Sequence, residues 1–248
     1  RRGPGLDPRV SARNARPLDN AALVAAITGP LRIVSAGVGG TIAGRVAIDR
    51  ASWRLGTAAQ DLRLPNIRTR EINQTIDRAV AAAPAAPWRY LINARGDDRI
   101  EVDGMGLDSE WGANIILRGT TDDPRIGGTA QVVRGEYTFA GAQFELTRGR
   151  IAFDVGQPIN PRVDIVAESE ADGLDVTVRV QGSAMSPDIS FTSVPGLPEE
   201  EILARLLFGG SITNLSATDA LQLGAALASL RGGEGGGLDP INRLRTAI

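Results

Sequence analysis

The chain has 248 residues, and its 27 basic and 29 acidic side chains leave a formal charge of −2. That length allows a sizeable core in one large or two small domains, while the even charge balance lays no basic footprint for nucleic acid. Cys and His are absent and every basic residue is Arg, which excludes Cys–His and Ser–His nucleophilic chemistry, Cys/His metal sites and Lys Schiff bases.

The first residues, Arg1 to Asp7, lead into a polar stretch and not into the apolar core of a signal peptide. No uninterrupted apolar run is long enough for a membrane span. The chain opens inside a repeating pattern, so we expect a fragment whose export signal or anchor lies upstream. Leu31 and Ile33 begin one predicted strand, and Ile42, Val46 and Ile48 share a face with Gly44 in the next. Between them, Gly37-Val38-Gly39-Gly40 lacks the full GxGxxG spacing and runs into a strand, so it reads as a hairpin turn and not as a phosphate cradle. Residues 61–87 break the pattern with a short helical stretch, Glu71 to Arg78, and an Ala/Pro run, read as an exposed excursion.

Alternation then dominates. Phe144 and Leu146 bracket Glu145. Ile151, Phe153 and Val155 alternate with Ala152 and Asp154. Val163 and Ile165 bracket Asp164, and Ile189 and Phe191 bracket Ser190. Leu174, Val176, Val178 and Val180 fall on one face of a strand whose other face carries Asp175, Thr177, Arg179 and Gln181. Turn signals lie at Gly96-Asp97-Asp98, Asp122-Asp123-Pro124, Gly127-Gly128, Gly149, Gly156-Gln157-Pro158, Asp172-Gly173 and Ser186-Pro187. Their short spacing predicts a mainly β, antiparallel meander, because parallel neighbours need long crossovers.

The chain then turns helical. Pro198 starts a helix with Glu199, Glu200 and Glu201 in its first turn and an apolar stripe of Ile202, Leu203, Leu206 and Leu207; Gly209-Gly210 end it. Ser216 with Asp219 reads as the capping box of a second helix, along which Leu223, Leu227 and Leu230 share a side. Gly232 to Gly237 reads as a linker and Asn242 to Ile248 as a last amphipathic turn. The expected organisation is therefore N-terminal strands over 1–60, the excursion over 61–88, the main sheet over 89–195 and a helical tail over 196–248.

Carboxylate pairs are the remaining groups capable of acid–base work: Asp97 with Asp98, Asp122 with Asp123, and Glu168 with Glu170. They sit in turn signals or on a wet strand face and read as solvated groups, so no enzyme, metal or cofactor is expected. Trp53, Trp88 and Trp111 are scattered and read as sheet-packing residues. The apolar face itself has two readings: it closes on a second sheet, or the sheet curls and leaves an apolar groove.

One stretch carries a resemblance. Pro195-Gly196-Leu197-Pro198-Glu199-Glu200-Glu201-Ile202-Leu203-Ala204-Arg205-Leu206-Leu207-Phe208-Gly209, followed by Ser211-Ile212, Leu215-Ser216 and the helix from Asp219 to Leu227, resembles the end-of-sheet motif of the TamB family. Arg134-Gly135-Glu136-Tyr137-Thr138-Phe139, Phe144 to Phe153, Pro161 and the run from Asp172 to Ser193 resemble its closing strands. The resemblance implies a U-shaped, taco-like sheet with an apolar interior, lined here by Leu174, Val176, Val178, Val180, Ile151, Phe153, Val155, Val163 and Ile165. It implies a periplasmic protein anchored in the inner membrane by an N-terminal helix outside this chain. The implied cargo is phospholipid acyl chains, and the implied partners are a TamA-type outer-membrane barrel protein and outer-membrane protein clients. Ile202, Leu203, Leu206 and Leu207 then either contact that partner or plug the sheet end.

Overall fold

The computed structural model describes residues 5–35, 37, 39–55, 86–171 and 173–231, the last three without their side chains. The expected excursion helix, the Ala/Pro run up to residue 85, the Gly-rich linker and the final turn lie outside these residues, as does the side chain of Leu230. Ten strands form one sheet in chain order. They are β1 (Arg9–Asp19), β2 (Leu23–Ser35), β3 (Gly40–Arg54), β4 (Arg89–Gly104) and β5 (Leu107–Gly119), then β6 (Pro124–Phe139), β7 (Ala142–Phe153), β8 (Arg162–Ala171), β9 (Leu174–Ser183) and β10 (Ser186–Val194). Two helices follow, α1 (Glu199–Phe208) and α2 (Ala217–Arg231), with a 3-10 turn, Ile212–Asn214, between them. Among the described residues no helix is long and apolar enough to cross a membrane.

The fold is thus the expected mainly β meander with a helical end, with one departure. Eight of the nine neighbouring pairs are antiparallel, but β3 and β4 run parallel, Thr41 opposite Arg89 through Arg54 opposite Asp103. A tight hairpin reverses the chain; the long segment between Arg54 and Arg89 instead returns it to the end where β3 began, so β4 starts in the same direction.

Three expected turns also lie inside strands. At Gly96-Asp97-Asp98 the β4–β5 register shifts between Gly96 and Ile100, and Asp98 has φ 55°: the residues form a bulge in a strand paired on both sides. Gly127-Gly128 lies within β6. A Cβ on Gly128 would stand within bonding range of the Asn114 carbonyl oxygen on β5, so this glycine serves close strand approach and not reversal. Gly149 lies within β7, where a Cβ would meet the Trp111 and Val132 side chains.

Register gathers one row of apolar residues from each strand onto a common face, while Leu91, Ile116 and Val166 point to the other. Val10 opposes Leu31, Leu31 opposes Gly44, and Gly44 opposes Ile92; further along, Trp111 opposes Val132, Ile151 opposes Val163, Ile165 opposes Val180, and Val180 opposes Ile189. A shift in the β7–β8 pairing between Leu146 and Arg148 keeps that face apolar, because Phe144 and Leu146 precede it at even positions and Ile151 and Phe153 follow at odd ones.

The sheet is open, with β1 and β10 at its edges, and it bends over its apolar face. Phe139 on β6 and Phe191 on β10 are four strands apart, about 19 Å on a flat sheet. Their ring centroids are 6.4 Å apart, and two side chains projecting straight from a flat sheet could not close that gap. The core fills this bend. Trp111, Phe139, Phe144, Leu146, Leu174, Val176, Ile189 and Phe191 pack from the sheet, and Ile202, Leu203, Leu206 and Leu223 pack from the helices.

Helix α1 ends at Gly209 in the left-handed region (φ 66°), whose N–H donates to the Arg205 carbonyl oxygen at 2.9 Å. The capping box of α2 is formed as expected. The Asp219 N–H donates to Ser216 Oγ at 3.2 Å, and the Ser216 N–H donates to Asp219 Oδ2 at 3.3 Å.

Candidate functional site

The inner face changes character along the sheet. Over β6–β10 its helix-side end is sealed by α1 and α2. Beyond that seal, side chains from five strands surround a cavity of about 120 Å³. Trp111 of β5, Tyr137 of β6, Leu146 of β7, Ile165 and Ala167 of β8, and Val178 and Val180 of β9 form its walls. Leu55, at the end of β3, and Leu107 and Met105, at the β4–β5 hairpin, close it from across the bend. Leu55 and Val180 meet around one cavity although five strands separate them in the sheet order, so the bend is what creates the site.

The floor depends on two local arrangements. Trp111 is 4% exposed, and its Nε1–H donates to Ser109 Oγ at 2.9 Å while Ser109 Oγ donates to the Val102 carbonyl oxygen at 3.1 Å. Both buried polar groups are thereby satisfied, and the indole presents only carbon to the cavity. Gly149 faces the same indole. A Cβ there would lie 2.9 Å from Trp111 Cη2 and from Val132 Cβ and Cγ1, so the glycine leaves room for the ring.

The nine residues expected to line a groove are placed as follows. Val178, Val180 and Ile165 line the cavity. Ile151, Phe153 and Val163 continue the inner face away from the helices, half-buried. Leu174 and Val176 lie on the same face, 5% and 1% exposed, beneath α1. Val155 lies past the end of β7, 39% exposed, against Gly127. Of the residues expected at a partner contact, Ile202, Leu203 and Leu206 are buried in the core and Leu207 is half-buried against it.

Sequence reasoning missed Leu55 and Met105, which lie outside any alternating run and reach the cavity only through the bend. Leu107 and Trp111 were legible in principle, since Leu107, Ser109, Trp111 and Ala113 alternate with polar or small residues.

The opposite face is wet, and on β4–β9 it is acidic. Glu101 stands opposite Glu110, Asp103 opposite Asp108, and Asp108 opposite Glu136. Glu136 in turn opposes Glu145, and Glu145 opposes Glu168. Arg134 answers this ladder with a 2.6 Å contact from Nε to Glu110 Oε2, which holds its guanidinium above the usual value. The carboxylate pairs considered from sequence lie on this face or in loops, and among the described residues no cluster of acidic side chains is arranged to hold a metal.

The "Translocation and assembly module subunit TamB" of Haemophilus influenzae is 27% identical over 158 residues, covering 59% of this chain and 12% of that protein. This chain therefore spans only a small part of that relative's length. The TamB C-terminal domain family matches residues 4–248. The match over nearly the whole length of a mostly antiparallel, open sheet ended by a helix pair makes this chain a member of the TamB C-terminal domain family.

Proposed function

We infer that this domain is a carrier of hydrocarbon: the acyl chains of phospholipid lie along its inner face on their way between the inner and outer membranes. The observation that carries the reading is the cavity between Trp111, Ile165, Val178 and Val180, whose lining is apolar. Burying an exposed Val or Leu side chain is worth about 1.5–3 kcal/mol. Among the described residues no second sheet covers Val10, Leu18 or Trp53, which are 44%, 46% and 46% exposed. A flexible apolar cargo is a physically suitable cover for such a face, because acyl chains make no directional demands.

In this reading the domain sits in the periplasm as one end of a longer protein anchored in the inner membrane. It works beside a TamA-type outer-membrane barrel protein in outer-membrane assembly, a reading supported by the name of the Haemophilus relative as a subunit of a translocation and assembly module. A second reading, strand templating for outer-membrane clients without lipid, has one observation in its favour. β1 is an edge strand, so its outward backbone groups take no part in sheet pairing among the described residues.

Mass spectrometry of lipid extracted from the purified chain separates the two. Phospholipid carried by the unsubstituted chain and by Thr177→Arg, which alters the wet face, and lost from Val178→Arg supports the carrier. Chains free of lipid in all three forms contradict it and favour templating.

A further inference from the structure

One part of the inner face has the chemistry of the open groove and is covered by the chain itself. On β9 the face runs Val180, Val178, Val176, Leu174. The first two line the cavity; the last two are sealed. No change of pairing marks the border, since β8 and β9 stay in register from Ala171 opposite Leu174 to Arg162 opposite Ser183, and β10 follows β9 in the same way. The difference between open and sealed is the helical cover, in which Ile202, Leu203 and Ala204 of α1 have no exposed surface and Leu223 and Ala226 of α2 are buried behind them in the same cluster.

The attachment of α1 is mostly non-directional. Between its apolar side and Phe139, Phe144, Leu174, Val176 and Phe191 there is hydrocarbon contact, which an acyl chain satisfies equally well. Two carboxylates add the polar clips. Glu199 accepts the Phe191 N–H at 3.1 Å, taking an outward backbone donor of the edge strand β10. Glu201 accepts from Arg205 Nε at 2.8 Å, Ser211 Oγ at 3.1 Å and the Ile212 N–H at 3.0 Å, tying α1 to the 3-10 turn. Before the helix, Ser193 Oγ donates to the Pro195 carbonyl oxygen at 2.8 Å and accepts the Leu197 N–H at 3.2 Å; after it, Gly209-Gly210 end the cover.

We propose that α1 is a displaceable plug, and that the surface beneath it is a terminal hydrocarbon-binding segment which the chain's own helix occupies until an acyl chain replaces it. The proposal rests on the reading of the inner face as a hydrocarbon site and adds a competitor to it. Displacing α1 extends the groove from Val178 to the β6–β7 and β8–β9 hairpins and frees the Phe191 N–H on the β10 edge. Cargo then leaves by the same end that α1 now closes.

The test uses the full chain with sodium oleate below its micelle concentration as the probe. The chain has no native Cys, so Val178→Cys reports the open groove through maleimide labelling. Hydrogen exchange over residues 199–208 reports the plug. Oleate is expected to block labelling of Val178→Cys and to speed exchange in α1 several-fold. Glu199→Ala with Glu201→Ala is expected to speed α1 exchange without oleate and to tighten oleate binding, because the competitor is weakened. Val46→Cys, 6% exposed on β3, must stay unlabelled in both, which excludes general unfolding. Labelling blocked at Val178→Cys with α1 exchange unchanged overturns the plug and leaves the carrier standing. Labelling unaffected by oleate overturns both.

Discussion

Gly149 and Gly224 are glycines with opposite consequences. At Gly149 a side chain meets Trp111 and Val132 at 2.9 Å, and neither can withdraw without opening the cavity floor. Gly149→Val is expected to lower stability by about 1–3 kcal/mol, read as a fall in the urea midpoint, and to weaken hydrocarbon binding with it. Gly224 lies in α2 with nothing within 4 Å of a built Cβ. Gly224→Ala is therefore expected to raise stability by about 0.5–1 kcal/mol through helix propensity alone. The sequence marks Gly149 as a turn, and no single strand reveals why it is a glycine. Gly149 looks like a turn until β5 and β6 are placed beside it, because the group that forbids a side chain, the Trp111 indole, is nearly forty positions away in the chain. The alternation of Leu174, Val176, Val178 and Val180, by contrast, is complete within one strand and was legible at once; its division into sealed and open halves was not, because the helical cover makes it.

At the scale of elements, local signals carried furthest where an element is stabilised by its own residues. The limits of α1, its acidic first turn, its Gly stop and the Ser216–Asp219 box of α2 all follow from neighbours within one or two turns. The parallel β3–β4 pair depends on where a long connection delivers the chain, and no alternation encodes that. The junction after α1 is expected to depend on pH. Glu201 is held below the ordinary carboxylate range, first by the Ile212 N–H, then by Arg205, and also by Ser211. A depressed carboxylate contributes stability that is present above its unfolded value and is lost as pH falls through the lower folded value. Acidification below the usual carboxylate range is therefore expected to release the 3-10 turn and speed hydrogen exchange in α1. Glu201→Gln is expected to flatten that response, and an unchanged response in the variant assigns it elsewhere.

The outer acidic ladder makes a separate prediction for the sheet. Glu145 faces Glu136 on one side and Glu168 on the other, and like charges directly opposed on strands are unfavourable. Glu145→Gln is expected to raise the thermal midpoint at low ionic strength, by the roughly few tenths of a kcal/mol that such an opposition costs. The gain should shrink at about 0.15 M salt, where screening acts within about 8 Å.

For the whole molecule, the decisive feature is that one apolar face persists through ten strands while the sheet bends over it. Strand alternation announced the face, and the family motif announced the helical end. The bend itself is a property of register shifts and strand twist summed over many pairs, which is why Leu55 and Val180 had no visible connection in the sequence yet border one cavity. That geometry makes an apolar trough, sealed at one end and open along the rest, and the account stands on whether hydrocarbon occupies it. The direct measurement is a photocrosslinking amino acid placed at Val178, with Thr177 as control, in the full-length protein in cells. The account predicts phospholipid adducts at Val178 and none at Thr177. Polypeptide adducts without lipid at Val178, or no adduct at either position, would contradict it.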